Sequence, residues 1–116
     1  MAKNKGKILI VDDNQELLSA LKMLLIQHFE VVQTEKRPDR LPSLLHQEKY
    51  DLILLDMNFK AGVSSGNEGL YWMRKIHESD PDVAVVFITA YGDVELAVKS
   101  LKENATDFIQ KSWDED

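Results

Sequence analysis

Short apolar runs alternate with segments of helical periodicity along the chain. Five runs are short and rich in β-branched or aromatic residues, as strands are: KILIV at 7–11, EVVQT at 30–34, DLILL at 51–55, VAVVFI at 83–88 and TDFI at 106–109. The segments between them carry apolar residues three or four positions apart, which indicates helices with one buried face. Strict alternation of strand and helix predicts right-handed crossovers and a parallel sheet with helices on both faces, the α/β class.

Apolar stripes and capping residues locate the predicted helices. The stripes are Leu17, Leu21, Leu24 and Leu25; then Leu41, Leu44 and Leu45 after Pro38; then Leu70, Met73 and Ile76; and last Val94, Ala97, Val98 and Leu101. Asp13, with Glu16 three residues later, resembles a capping box before the first helix. Gly92 and Asp93 supply a break and an N-cap before the fourth. After the fifth strand only QKSWDED remains, too short for a covering helix, so we expect an undercovered sheet face and a fragment of a longer protein.

Composition predicts one globular domain in a reducing compartment. The 116 residues, 44% apolar and 29% charged, suffice for one core. The absence of cysteine excludes a disulfide framework and thiolate metal sites, and the default expectation is a cytoplasmic protein. The net charge of -6 disfavours direct binding to nucleic acid or anionic lipid, and no apolar run approaches the roughly 18 to 20 residues of a membrane span.

Polar groups follow four of the five predicted strands. In an open parallel sheet the carboxyl ends of the strands form the ligand-binding edge. The residues there are Asp12 and Asp13 after the first strand, Asp56 after the third, Thr89 after the fourth and Lys111 close behind the fifth. Two carboxylates about 5 Å apart repel by roughly 3 kcal/mol at an effective dielectric of 20, so three together favour a divalent cation.

The donor types at this edge fit Mg²⁺ and a phosphoryl group. All-oxygen ligation without cysteine favours a hard cation, and Mg²⁺ takes one or two carboxylates while leaving room for a phosphate oxygen. Lys111 can neutralise a phosphoryl group, and the Thr89 hydroxyl can hydrogen-bond another of its oxygens. Each group alone has an ordinary explanation as a turn, a cap or a surface residue. Together, at four strand ends, they indicate an aspartyl-phosphate site.

The stretches ILIVDD, LILLDMN, VVFITAYGD and DFIQKS occur in the order and spacing of receiver domains of two-component response regulators, and the resemblance covers nearly the whole chain. It implies a flavodoxin-like three-layer sandwich with strand order 2-1-3-4-5 over residues 1–116, and phosphorylation at Asp56. It further implies that Asp13 binds the metal directly, that Asp12 binds it through a water molecule, and that the Asn58 carbonyl is a further ligand. Thr89 and Lys111 resemble the phosphoryl-sensing pair of the family, and Phe108 resembles its rotameric switch aromatic.

The resemblance also implies partners. A sensor histidine kinase would donate the phosphoryl group. GNEGLYWMRKI and TAYGDVELAVKSLKENATDFIQKSW look more specifically like receivers attached to transcriptional activators with an AAA+ ATPase module and a DNA-binding domain. Fold-level analogy does not fix the output, and any DNA contact would belong to another domain. For this chain alone we expect poor monomeric stability or pairing of two copies through the undercovered face.

Two other functions compete with a phosphoacceptor. A magnesium phosphohydrolase with an aspartyl-phosphate intermediate requires an aspartate as general acid two residues beyond the nucleophile, and this chain has Asn58 there. A receiver-like module that has lost phosphorylation is supported by two departures from the family pattern. Ser112 replaces the proline that usually follows the lysine, and the loop over 57–69 reaches Gly69 thirteen residues after Asp56, longer than usual and without its customary proline. Asn58 and Tyr91, two residues beyond Thr89, are the expected modulators of dephosphorylation.

Overall fold

The computed structural model describes residues 4–57, 67–89, 98–99, 101–103 and 105–110. Its strands form one parallel sheet, as the sequence predicts. In chain order they are β1 (Asn4–Val11), β2 (Phe29–Glu35), β3 (Leu52–Asp56), β4 (Ala84–Thr89) and β5 (Asp107–Gln110), and across the sheet they lie in the order β2-β1-β3-β4-β5. The predicted strand order is therefore confirmed, and the order reverses at β1 and β3, whose carboxyl ends carry the candidate carboxylates.

Helices lie on both faces of this sheet. They are α1 (Gln15–Leu25), α2 (Leu41–Gln47), which follows a 3-10 turn at Pro38–Arg40, and α3 (Asn67–Ser79). Residues 98–99 and 101–102 are also helical and belong to the fourth predicted helix. The residues expected to begin that helix, Gly92 and Asp93, lie outside the described part of the chain. No helix among the described residues is long and apolar enough to cross a membrane.

Two apolar cores explain why the central strands read as continuous apolar runs. Successive side chains of a strand point to opposite faces, so a strand covered on both faces needs apolar residues throughout. The α1 face buries residues that include Ile8, Ile10, Leu17, Leu18, Leu54 and Ile88. The face of α2 and α3 buries residues that include Leu9, Val11, Leu41, Ile53, Leu55, Leu70, Met73, Ile76 and Phe87. Both cores lie directly beneath the carboxyl edge of the sheet.

The start and the buried stripe of α1 differ from the prediction. The N-cap is Asn14 rather than Asp13: its backbone is extended, with φ -90° and ψ 107°, and its side chain accepts hydrogen bonds from the N–H groups of Glu16 and Leu17. Asp13 and Asn14 are both good capping residues, and the backbone enters the helix after the second of them. Within the helix Leu18 is buried, whereas Leu24 of the predicted stripe is 54% exposed.

Two further expectations about helices are corrected. The last residues of the segment read as a loop over 57–69 are helical, because α3 begins at Asn67, and residues 58–66 lie outside the described part of the chain. Val98 and Leu101, members of the fourth apolar stripe, are 43% and 38% exposed rather than buried. Helical spacing alone identifies residues that share a face but not what covers that face.

Candidate functional site

Asp12 is fixed at the carboxyl end of β1 by two hydrogen bonds. Its N–H donates to the carbonyl oxygen of Glu35 at the end of β2, over 3.1 Å, and so continues the strand pairing by one residue. Its Oδ1 atom accepts a hydrogen bond of 2.9 Å from the N–H of Asn14, at the start of α1. The side chain of Asp12 is fully buried, whereas Asp13 between these anchors is exposed. The β1–α1 junction thus presents one buried and one solvent-facing carboxylate.

Asp56 is the last residue of β3 and is 3% exposed. It pairs in register with Ile88 of β4, and the next residue, Met57, donates its N–H to the carbonyl oxygen of Ile88 over 3.0 Å. The carbonyl oxygen of Met57 accepts a hydrogen bond of 3.1 Å from the N–H of Gly69 in α3. The backbone that follows Asp56 is therefore held both by the sheet and by a helix.

The three carboxylates converge. Asp12, Asp13 and Asp56 each offer one oxygen atom, and these three atoms all lie within 4.8 Å of one another. At that separation two full negative charges repel by roughly 3 kcal/mol at an effective dielectric of 20. An all-oxygen, negatively charged donor set on rigid strand ends fits a hard divalent cation such as Mg²⁺, with two of the donors buried and one open to solvent. The predicted convergence of these residues is present in the fold.

Thr89 ends the neighbouring strand, β4, one residue beyond the partner of Asp56. It is fully buried, and its hydroxyl has no hydrogen-bond partner among the described residues. A buried hydroxyl without a partner costs about 1 to 3 kcal/mol relative to one that is hydrogen-bonded. A hydroxyl at this edge of the sheet can donate a hydrogen bond to an oxygen acceptor bound there.

Phe108 lies on β5, the strand that pairs with β4. It pairs in register with Phe87, while Gln110, two residues later, pairs with Thr89. Its ring is half-buried and packs against the core on the face of α2 and α3. The remaining predicted site residues, Asn58, Tyr91 and Lys111, lie outside the described residues, as does Ser112.

Sequence reasoning missed two residues that organise this edge. Asn14 links the cap of α1 to Asp12, and a signal was present, since asparagine is a preferred capping residue. Gly69 is hydrogen-bonded to the backbone of Met57, the residue that follows Asp56. In the sequence it appeared only as the end of a long loop. The close approach of α3 to β3 that explains this glycine is a tertiary contact without a local sequence signature.

Comparison with known proteins agrees with the strand order. The family model of the response regulator receiver domain matches residues 8–116. The chain belongs to this family. Receiver domains of response regulators are regulatory domains rather than catalytic enzymes in their own right.

Similar proteins include transcriptional regulators. The chain is 32% identical over 111 residues to the response regulator protein PilR of Pseudomonas aeruginosa. This alignment covers 96% of the chain and 24% of PilR. The chain is 29% identical over 110 residues to the C4-dicarboxylate transport transcriptional regulatory protein DctD of the same organism, covering 95% of this chain and 23% of DctD. This receiver domain thus spans about a quarter of the length of these curated relatives.

A solved structure gives the same fold. The N-terminal signal receiver domain of a two-component system response regulator from Bacteroides fragilis superposes with a TM-score of 0.83 and is 44% identical. The match covers 96% of this chain and 88% of that one. The predicted flavodoxin-like α/β architecture of the receiver family is confirmed.

Proposed function

We propose that this receiver domain accepts a phosphoryl group on Asp56, with Mg²⁺ bound at the same edge, and changes conformation in response. The observation that supports this most strongly is the convergence of the Asp12, Asp13 and Asp56 oxygens within 4.8 Å of one another. Asp56 fits the role of acceptor because it ends the central strand β3 and its backbone is fixed on both sides. Positioning and electrostatics contribute most of the catalysis in phosphoryl transfer, so a rigid carboxylate is what the reaction requires.

The proposed donor is a phosphohistidine of a sensor histidine kinase. One carboxylate oxygen of Asp56 attacks the phosphorus atom; the new P–O bond forms as the P–N bond to the histidine breaks. The histidine nitrogen keeps the electron pair of that bond and takes up a proton. Asp12 and Asp13, with the Asn58 carbonyl, would hold Mg²⁺ beside Asp56. Mg²⁺ held by these residues would supply positive charge against the oxygens of the transferring group.

The proposed switch begins at Thr89. Its buried hydroxyl, which lacks a partner among the described residues, would donate a hydrogen bond to an oxygen of the new phosphoryl group, and Lys111 would pair with another. As Thr89 shifts toward Asp56, the ring of Phe108 on the adjoining strand turns inward into the space this leaves. The phosphoryl group thereby biases an equilibrium between two arrangements of β4 and β5.

The proposed output is transcription, controlled by other parts of a longer protein. DctD, which the chain resembles over about a quarter of its length, is named a transcriptional regulatory protein. An output of the AAA+ ATPase and DNA-binding type remains the expectation from the narrower resemblance in the sequence. The net charge of -6 makes the receiver domain itself a poor ligand for nucleic acid, so another domain would contact DNA.

Intact-mass spectrometry tests the proposal. After incubation with acetyl phosphate and Mg²⁺, the protein should gain the mass of one phosphoryl group, and the gain should be lost in Asp56→Asn and without Mg²⁺. Asp51→Asn is the matched control, because Asp51 precedes β3 at the opposite edge of the sheet and is exposed. No gain in the wild-type protein would favour a module that works without phosphorylation, and an undiminished gain in Asp56→Asn would place the acceptor elsewhere.

A further inference from the structure

Gly69 sits where no larger residue fits. It is buried in the first turn of α3, and a Cβ atom built on it would lie 2.7 Å from the carbonyl oxygen of Met57 and 2.9 Å from its Cα. The same atom would lie 2.9 Å from Cε1 of the Phe87 ring. Ordinary van der Waals contacts of a Cβ begin at 3.4 Å, so an alanine would force these neighbours apart.

Local conformation does not explain this glycine. Gly69 lies within α3, where the backbone is helical and any residue is allowed. Glycine in a helix is about 1 kcal/mol less favourable than alanine, so its presence weakens the start of α3. What it permits is the approach of α3 to the backbone of Met57, close enough for the hydrogen bond of 3.1 Å from the Gly69 N–H to the Met57 carbonyl.

Met57 connects this contact to the acidic cluster. Its N–H, which belongs to the peptide group that follows Asp56, is held by Ile88 over 3.0 Å. Its carbonyl, in the next peptide group, is held by Gly69, and its side chain is fully buried. Both peptide groups after Asp56 are therefore fixed, the first by the sheet and the second by α3. The next residue in the sequence is Asn58, whose carbonyl is expected to be a metal ligand.

We propose that Gly69 is a positioning residue for the cation site: it lets α3 fix the backbone of Met57 and so directs the Asp56 carboxylate toward Asp12 and Asp13. This inference rests on the cation site of the proposed function. Mg²⁺ demands near-ideal octahedral geometry at short distances, so displacement of the Met57 backbone by a few tenths of an ångström weakens its binding. The ring of Phe87 would also meet a Cβ atom at position 69, so packing against this ring has to be separated from the positioning of Met57.

Titration calorimetry of Mg²⁺ with the unphosphorylated protein tests this role. Gly69→Ala should raise the dissociation constant by about fivefold or more, the usual lower range for coupling between sites. Ile76→Val is the control: it disturbs the same core from the same helix, about 10 Å along the axis from Gly69. It should bind Mg²⁺ like the wild type. Equal affinity of Gly69→Ala and wild type would overturn the inference.

A double variant separates positioning from packing. Phe87→Leu removes the ring that an alanine at position 69 would meet but leaves the contacts with the Met57 backbone. Gly69→Ala with Phe87→Leu should therefore unfold at a higher urea concentration than Gly69→Ala alone, yet still bind Mg²⁺ weakly. Recovery of Mg²⁺ affinity together with stability would show that Gly69 acts only through packing and would overturn the inference.

Hydrogen exchange of the wild-type protein gives a test that needs no variant. If the bond from Gly69 to Met57 favours Mg²⁺ binding, Mg²⁺ must favour that bond to the same degree. The Gly69 amide should exchange more slowly when Mg²⁺ is added, whereas the Asp80 amide, bonded to the Ile76 carbonyl over 2.8 Å beyond the other end of α3, should not change.

The outcomes distinguish the two proposals. Unchanged exchange at Gly69 in a protein that binds Mg²⁺ by calorimetry contradicts the positioning role alone. A wild-type protein that binds no Mg²⁺ contradicts the cation site of the proposed function, and the positioning role with it.

Discussion

The carboxylate of Asp12 is hydrogen-bonded to the residue that caps the first helix. Its Oδ1 atom accepts a bond of 2.9 Å from the N–H of Asn14, while the Asn14 side chain accepts bonds of 3.0 and 3.2 Å from the N–H groups of Glu16 and Leu17. The candidate cation site and the beginning of α1 therefore share one hydrogen-bonded turn. Substitution of Asn14 tests the contribution of this turn to stability, and substitution of Asp12 tests its contribution to metal binding.

Loss of the Asn14 side chain should destabilise the fold. Asn14→Ala leaves the first N–H groups of α1 without their acceptor, and the free energy of unfolding measured in urea should fall by about 1 kcal/mol. Asn14→Ser retains a capping oxygen and should lose much less. Equal losses in the two variants would show that the side chain does not act as a cap.

Replacement of Asp12 should weaken metal binding without weakening the fold. The amide oxygen in Asp12→Asn can still accept the bond from Asn14, and one of three neighbouring negative charges is removed. With Mg²⁺ at 100 times its dissociation constant, the wild type should gain about 2.7 kcal/mol of stability, and the variant much less. The measurement is thermal unfolding with and without Mg²⁺.

The control for Asp12→Asn is Asp82→Asn, an exposed aspartate that precedes β4 at the far edge of the sheet. It should keep the full stabilisation by Mg²⁺. If Asp12→Asn were stabilised by Mg²⁺ as strongly as this control, Asp12 would not belong to the cation site.

Thr89→Val should raise stability and impair the switch. The hydroxyl of Thr89 is buried without a partner among the described residues, and its removal should stabilise the unphosphorylated protein by about 1 kcal/mol. The same change removes the donor proposed to bind the phosphoryl group. Chemical shifts of β4 and β5 amides should therefore respond less to acetyl phosphate in Thr89→Val than in the wild type.

Thr89→Ser serves as the control, because it keeps the hydroxyl and loses only a methyl group. It should retain most of the shift changes on phosphorylation. Chemical-shift changes in Thr89→Val as large as in the wild type would show that Thr89 takes no part in the proposed switch.

Tyr91→Ala should shorten the lifetime of the phosphoryl group. Tyr91 follows Thr89 by two residues, and its ring is expected to shield the acyl phosphate from water. The rate of phosphate release should increase severalfold in Tyr91→Ala and stay unchanged in Tyr71→Ala, which alters an exposed tyrosine of α3. Equal rates of phosphate release in Tyr91→Ala and wild type would contradict the shielding role of Tyr91.

The sequence predicted the central strands well because both of their faces are buried. Runs such as DLILL and VAVVFI must be apolar at successive positions when helices cover both faces, and each corresponds to a strand within one residue at either end. The strand order did not follow from hydrophobicity; it came from the family resemblance. The placement of Asp12, Asp13, Asp56 and Thr89 at one edge followed from their positions after parallel strands.

Features that depend on tertiary contact were less predictable. Asp13 and Asn14 are equally suitable caps by residue type, and only the backbone dihedral angles at the junction decide between them. Leu24 has helical spacing with Leu17 and yet faces solvent, because spacing shows which residues share a face and not how wide the covered stripe is. Gly69 is explained by the backbone of Met57, which follows β3 and precedes Gly69 by more than ten residues, and by the Phe87 ring of β4.

The central claim, that Asp56 is the phosphoacceptor, is tested most directly by chemical localisation of the modification. Hydroxylamine converts an acyl phosphate to a hydroxamate with release of phosphate, and peptide mass spectrometry then identifies the modified residue. After treatment with acetyl phosphate and Mg²⁺, the hydroxamate should be found on Asp56. A hydroxamate on Asp12 or Asp13 instead, or on no aspartate at all in a protein that binds Mg²⁺, would contradict the account.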